Sequence, residues 1–435
     1  MAPRAGIVVT GTEVLTGRVS DANGPWLAEE LRTAGVDVGR IVVVGDRPDD
    51  LVAAIRSLAD CDLVITSGGL GPTADDLTTQ VVADLRGRGL RLDEELHDRV
   101  RTLVETLSAQ RGWDGTGDDM AAGIRKQALV PEGAAWLEPV GTAPGLVVPG
   151  DADGPPVVVL PGPPRELQPM WADAARHPLV ARALAGATEL RQSTVRLWGP
   201  PEAELAGMLR QLETERPGAL DDLEVTTCLR DGELEVVTRH DPAAQPAADA
   251  LTAALTDRFG GAVFAPDGRT VDEVVAALLL DAGATVATAE SCTAGLLAGR
   301  LADLPGSSAY LTGGVVAYAN QVKTAQVGVP AETIERVGAV SEEVAVALAR
   351  GVRERLGTTY GVGVTGVAGP GGGTEEKPVG LVHVCVSGPD GDVPRRLRIH
   401  GGRDHVRRRT VVTCLHLLRE VLSGVTDATS GGPGR

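Results

Sequence analysis

Ser291, Cys292 and Lys323 are the side chains of this sequence whose types could do chemistry on a carbonyl carbon. The run Ala289-Glu290-Ser291-Cys292-Thr293-Ala294-Gly295 joins a predicted strand to a helix predicted from about Thr293. A hydroxyl at such a junction has two readings. As an N-cap, Ser291 would accept a hydrogen bond from the first helical turn. As a working group, it would be a nucleophile or phosphate ligand at the positive end of a helix dipole. Cys292 is a rival nucleophile, but no partnered histidine stands out, so it ranks lower. Lys323 is the only lysine between Glu290 and Glu376. A lysine becomes a base only where burial or cationic neighbours lower its pKa, and a Ser–Lys pair then needs no histidine. The alternative for Lys323 is a solvated helix residue. Tyr318 is either core or a proton relay. Ser308, in Pro305-Gly306-Ser307-Ser308, is a second candidate nucleophile.

Around these lie candidate ligand contacts: Thr293, Gly295 and Asn320, and a glycine loop Thr365-Gly366-Val-Ala-Gly369-Pro-Gly-Gly-Gly373 after another strand. Arg403 lies one turn before Arg407 on the last helix and either grips a phosphate or belongs to a solvated face.

A second constellation lies near the N-terminus. Thr66-Ser-Gly68-Gly69-Leu-Gly71-Pro-Thr73-Ala-Asp75-Asp76-Leu-Thr78 follows a buried strand. Glycines let backbone N–H groups approach an anion closely, and Asp75 or Asp76 could hold a Mg²⁺ that neutralises a phosphate. The plain alternative is a tight turn with an acidic helix start. No Walker lysine follows, so a P-loop is excluded. Gly11-Thr12-Glu13 leaves the first strand, with Asn23 beyond it.

The elements that must carry these loops fall into three blocks. In residues 1–170, strands at 5–10, 41–44, 63–66 and 157–160 alternate with helices at 25–34 and 51–59. That pattern predicts a doubly wound, mostly parallel α/β sheet, with ligands at the carboxyl ends of its strands. Residues 171–265 form a small α+β module, with strands at 194–198 and 224–229 and a hairpin to 233–238 across Asp231-Gly232. Residues 266–424 return to α/β, with strands at 285–289, 315–318, 360–365 and 381–386. Residues 425–435 read as a Gly-rich disordered tail.

Composition narrows the function. At roughly 100–200 residues per domain, 435 residues suggest two to four domains. The net charge of −18 opposes general nucleic-acid binding, which needs clustered cations. The five cysteines are widely spaced, which disfavours a disulfide framework or zinc site. No run approaches the roughly 18 apolar residues of a membrane helix. A reduced, cytoplasmic protein is the expectation.

The C-terminal motifs closely resemble the CinA C-terminal domain, the nicotinamide mononucleotide deamidase family. Ser291, Ser308, Tyr318, Lys323 and Arg403 all match, while Ala294 replaces a glycine. Gly141-Thr142-Ala143-Pro144-Gly145 and Leu160-Pro-Gly-Pro-Pro-Arg-Glu166, with the glycine loop, resemble the molybdopterin-binding fold of CinA proteins. There Glu138 replaces an expected Asn, which could repel a phosphate. The middle block would correspond to the family's KH-like module. The resemblance implies hydrolysis of nicotinamide mononucleotide to nicotinate mononucleotide and ammonia without a metal. It also implies a homodimer or larger assembly and, in some members, hydrolysis of ADP-ribose at the first domain, with Mg²⁺ near Asp75 or Asp76. The rival reading is a catalytically silent nucleotide-binding scaffold linked to competence or DNA damage.

Overall fold

The computed structural model describes residues 2–112, 117–152, 154–188 and 190–424. The tail expected at 425–435 lies outside them. The chain divides into two compact units, Met1–Arg191 and Gln192–Arg435.

The first unit contains β1 (Arg4–Thr10), β2 (Asp37–Val44), β3 (Leu63–Ser67), β4 (Leu90–Leu92), β5 (Leu129–Pro131), β6 (Ala135–Leu137), β7 (Gly145–Val148) and β8 (Val157–Leu160). Its six-stranded sheet has the order β2-β1-β3-β8-β7-β6. The strands β2, β1, β3 and β8 run parallel, and β7 and β6 are antiparallel additions. All residues of β3, β7 and β8 are buried, as expected for strands covered on both faces. The core continues through Leu167, Met170, Trp171, Ala174 and Val180. Helices Pro164–Arg176 and Pro178–Ala183 therefore belong to this unit, and it ends beyond the boundary expected at 170.

The second unit holds both remaining blocks. The α+β module is a four-stranded sheet of β9 (Arg191–Trp198), β10 (Leu223–Arg230), β11 (Glu233–His240) and β12 (Val263–Ala265), in the order β10-β11-β9-β12. The hairpin forms across Asp231-Gly232, where both residues have positive φ (46° and 82°). The second sheet contains β13 (Val286–Glu290), β14 (Leu311–Val316), β15 (Tyr360–Gly366), β16 (Leu381–Gly388) and β17 (Gly391–Arg398), ordered β14-β13-β15-β16-β17. The two blocks share buried contacts. His416, on the last helix Arg403–Ser423, stacks on Trp198 with ring centroids 3.9 Å apart. Its Nε2 lies 2.7 Å from Glu233 Oε1. Burial holds the His416 imidazole well below its ordinary pKa and the Glu233 carboxyl above its own.

Parallel strands β14 and β15 flank β13, so the chain turns to opposite sides after it. This is a switch point, where the carboxyl ends of strands leave a crevice. What fills it is Glu290, 1 % exposed at the end of β13. Its carboxylate accepts from Thr288 Oγ1 (3.1 Å) and from the backbone N–H groups of Gly295 (3.0 Å), Leu297 (3.1 Å) and Ala298 (2.8 Å). It thereby satisfies donors that a helix N-terminus leaves open.

Two expectations shift as a result. The helix begins at Leu296 rather than near Thr293, because Ala294 (φ 52°) and Gly295 (φ 91°) are left-handed. The strand expected at 315–318 is Leu311–Val316, since the edge strand absorbs Gly313 and Gly314 and leaves Tyr318 beyond it.

Replacing Glu290 by Gln removes one charged acceptor and sets an N–H₂ against backbone donors. Glu290→Gln is expected to destabilise the fold by roughly 2–4 kcal/mol, read by thermal and denaturant unfolding. A change within error would contradict the capping role. A methyl held at left-handed φ costs about 1 kcal/mol, so Ala294→Gly is expected to raise the unfolding temperature.

Candidate active site

The carboxyl ends of β13, β14 and β15 bring together most of the C-terminal candidates. Ser291 follows β13, and its N–H donates to Val364 O at 2.9 Å. It is not an N-cap, because Gly295 holds that position and Glu290 fills the helix end. The positive end of the helix dipole therefore meets Glu290 and not Ser291, which keeps its place at the sheet's carboxyl end. Cys292 is buried, and burial pushes its thiol up to about 12, which leaves almost no thiolate at neutral pH. Thr293 is fully buried, and its Oγ1 has no hydrogen-bond partner among the described residues.

Arg407 fixes this loop. Its Nε donates to Cys292 O (3.1 Å) and its Nη2 to Thr293 O (2.9 Å). Sequence reading used Arg407 only as a spacing mark and missed Glu290 entirely. A lone arginine in a helix and an acid at a strand end carry no local signal of such contacts.

Lys323 sits in the helix Asn320–Val327 and is only 1 % exposed, so the solvated reading is wrong. Its Nζ donates to Tyr318 O at 2.9 Å. Burial pushes its pKa below the ordinary lysine value. Tyr318 is not core: it is 56 % exposed, and Arg403 Nη2 donates to its hydroxyl at 3.1 Å. Arg403 opens the last helix, and its Nη1 donates to Gly369 O at 2.8 Å, which ties the glycine loop to Tyr318. Asn320 is exposed at the start of its helix. Thr365 closes β15 beside Gly366, with its hydroxyl on Ala339 O at 2.7 Å.

Ser308 is not brought to this place. It precedes β14 in the short 3₁₀ turn Ser307–Ala309, and Leu311 pairs with Val286 at the opposite end of the parallel sheet. A six-residue strand spans roughly 20 Å, so Ser308 and Lys323 of one chain cannot meet.

In the first unit, β1 likewise lies between β2 and β3, and Gly11 and an exposed Glu13 follow it. Asn23 donates through Nδ2 to Ser67 Oγ (2.8 Å) and Gly162 O (2.6 Å), which links three loops, while its buried Oδ1 has no partner among the described residues. Gly68 is obligatory: it has φ 109°, and a Cβ there would lie 2.4 Å from Thr10 O. A cavity of about 120 Å³ is lined by Gly69, Gly71, Asp76, Lys126, Gln127 and Pro144, among others. Thr73 Oγ1 lies 2.5 Å from both Asp75 Oδ1 and Asp76 Oδ2. Its hydrogen bond holds the Asp75 carboxyl below its ordinary pKa. The Thr73 N–H also donates to Asp76 Oδ2 at 2.9 Å, so each of the two carboxylates has a donor of its own within this loop. Glu138 pairs with Arg99, so the repulsion expected of its carboxylate is neutralised. Among the described residues no group of three or more His, Cys, Asp or Glu could hold a metal, and no helix could cross a membrane.

Comparison with known proteins agrees with this division. The family model described as the CinA C-terminal domain matches residues 268–422, and the probable molybdopterin binding domain matches residues 6–181. A CinA-like protein of Mycobacterium marinum is 53 % identical over 425 residues, covering 97 % of this chain and 99 % of that one. A CinA-like protein of Mycobacterium tuberculosis is 51 % identical over 427 residues, covering 97 % and 98 %. Among solved structures, a competence/damage-inducible protein from Agrobacterium tumefaciens is 41 % identical, covering 35 % of this chain and 95 % of that one, with a TM-score of 0.34. The chain belongs to the CinA family.

Proposed function

We propose that the C-terminal half of the second unit deamidates nicotinamide mononucleotide. The observation that carries this reading is the buried Lys323 amine, within electrostatic reach of Cys292 next to Ser291 and with only a carbonyl for a hydrogen-bond partner among the described residues. Desolvation favours its neutral form, which is the form a general base requires. In the reaction, a serine hydroxyl attacks the carboxamide carbon and its proton passes to Lys323. The C–N bond then breaks, and Lys323 returns the proton to the leaving ammonia. Water hydrolyses the acyl-serine, releasing nicotinate mononucleotide and the free hydroxyl. Backbone N–H groups of the Thr365–Gly369 loop would hold the oxyanion. Arg403, exposed at a helix N-terminus, would take the 5′-phosphate. The chemistry runs without a metal. Of the two candidate serines, Ser291 is the one that a single chain supplies at this end of the sheet, and Ser308 could act only if a second copy delivers it.

The test is ammonia release from nicotinamide mononucleotide by the full chain without added metal. Lys323→Ala is expected to lose about 10²–10⁴-fold. The wild-type rate should rise with pH through an apparent pKa below 10.5, because the neutral amine is the base. Lys323→Arg should show no such limb, since arginine stays protonated. Loss in Ser291→Ala with Ser308→Ala unaffected places the nucleophile on Ser291. If Ser308→Ala is dead, mixing it with dead Lys323→Ala should restore activity through a shared site. No activity in folded wild type would leave the nucleotide-binding scaffold as the better reading.

A second activity, hydrolysis of ADP-ribose, is favoured by the cavity beside the glycine loop of the first unit. Asp75 and Asp76 would hold Mg²⁺, which would neutralise the pyrophosphate charge. Lys126, whose Nζ donates to Thr73 O, lies at the same loop. Asp75→Asn with Asp76→Asn is expected to abolish Mg²⁺-dependent release of AMP from ADP-ribose and leave ammonia release intact. No AMP from wild type at any Mg²⁺ concentration would contradict this.

A further inference from the structure

The last helix, Arg403–Ser423, is gripped on two opposite sides. At about 3.6 residues per turn, Arg403 and Arg407 lie on one side, and His405, Arg409 and His416 lie on the other. The first side serves the candidate site. There Arg403 holds Gly369 O and the Tyr318 hydroxyl, and Arg407 holds Cys292 O and Thr293 O. The second side meets the small four-stranded sheet. The Arg409 guanidinium lies over the Trp198 ring, 4.4 Å from its centroid. It also closes against the β10–β11 hairpin tip so tightly that a Cβ at Gly232 would have no room. Asp231 Oδ1, on the same tip, lies 3.9 Å from His405 Nδ1. Two turns further along the helix, His416 stacks on Trp198 and meets Glu233.

This is a costly way to cover a helix. Arg409 Nη1 is buried without a hydrogen-bond partner among the described residues, and the Asp231 and Glu233 carboxylates nearby offset its charge. An unmet buried donor costs stability, so an apolar side chain would serve better if covering the helix were the whole purpose. What a guanidinium adds is a planar group that stacks on an aromatic face in a fixed orientation. The first turn of the helix has little else to orient it. Residues 401–405 are exposed, Gly402 at the N-cap supplies no side chain, and the buried anchors begin at Val406. Val406 and Thr410 seat the helix on its own sheet. Contacts on its flanks set its rotation, and the rotation sets where the Arg403 guanidinium lies.

We propose that Arg409 is a positioning residue: seated on Trp198 and the hairpin tip, it fixes the rotation of the last helix and so holds Arg403 where the phosphate of the substrate arrives. The small module thereby acts on the C-terminal site through one helix. The proposal rests on the reading of Arg403 as the phosphate ligand. A phosphate is held alike in the ground state and the transition state, so its loosening appears in KM. The Glu290 carboxylate holds the Ser291 loop independently, which spares kcat.

A double-mutant cycle on ammonia release from nicotinamide mononucleotide by the full chain tests it. Arg409→Ala is expected to raise KM about tenfold and leave kcat within about twofold of wild type. In an Arg403→Ala background the same substitution should add less than about twofold, because the residue it positions is gone. Arg409→Lys, which keeps a cation over the ring, should recover most of the wild-type KM. Arg409→Gln takes the place of the alanine variant if that chain fails to fold. Independent, multiplying effects on KM would overturn the proposal, as would a wild-type KM in Arg409→Ala. If folded wild type releases no ammonia, the deamidase reading fails by itself, and amide hydrogen exchange decides the positioning. Arg409→Ala should then speed exchange at residues 406–410 and leave the helix Glu342–Leu356 unchanged. Unchanged exchange at 406–410 would overturn it.

Discussion

A buried carboxylate at the end of β13 is the interaction on which the C-terminal architecture turns. Glu290 is withdrawn from water, and three backbone N–H groups and the Thr288 hydroxyl compensate its charge. A buried charge is tolerable only when it is satisfied this way. The consequence is geometric: the chain between Glu290 and Leu296 must leave the strand, turn through two left-handed residues and return its N–H groups to the same carboxylate. That path places Ser291 and Thr293 at the strand ends. Arg407 then holds the path from outside through two carbonyls.

The neighbouring features depend on that frame. Lys323 is buried against the same end of the sheet, where desolvation rather than a partner charge governs its protonation. Arg403 reaches both the glycine loop and Tyr318, so two separated segments converge on one guanidinium. A phosphate arriving there would meet a cation already held in place, which lowers the cost of ordering it. In the first unit Asn23 does similar work with a neutral amide, joining the ends of two strands through Ser67 and Gly162.

The sequence made the local features legible. Asp231-Gly232 between two strands is a hairpin signal, and the hairpin forms there with its register unbroken. The parallel sheets followed from buried strands alternating with helices. What stayed hidden depends on residues distant in sequence. Ser291 carried the usual marks of an N-cap, yet the cap is the preceding glutamate, whose reach into the helix needs the left-handed turn at Ala294 and Gly295. Ser308 and Lys323 are close in sequence and far apart in space, because β14 runs between them. Glu233 and His416 come from different blocks, and their contact, with the stacking of His416 on Trp198 and the Arg409 guanidinium over the same ring, helps make the last two blocks one unit.

The central claim is that this site opens a carboxamide. Turnover of nicotinamide mononucleotide by the full chain in H₂¹⁸O, followed by mass spectrometry, tests it most directly. The account predicts nicotinate mononucleotide carrying one ¹⁸O in its carboxylate and one equivalent of ammonia. Unchanged substrate, or free nicotinamide from cleavage of the glycosidic bond, would contradict it.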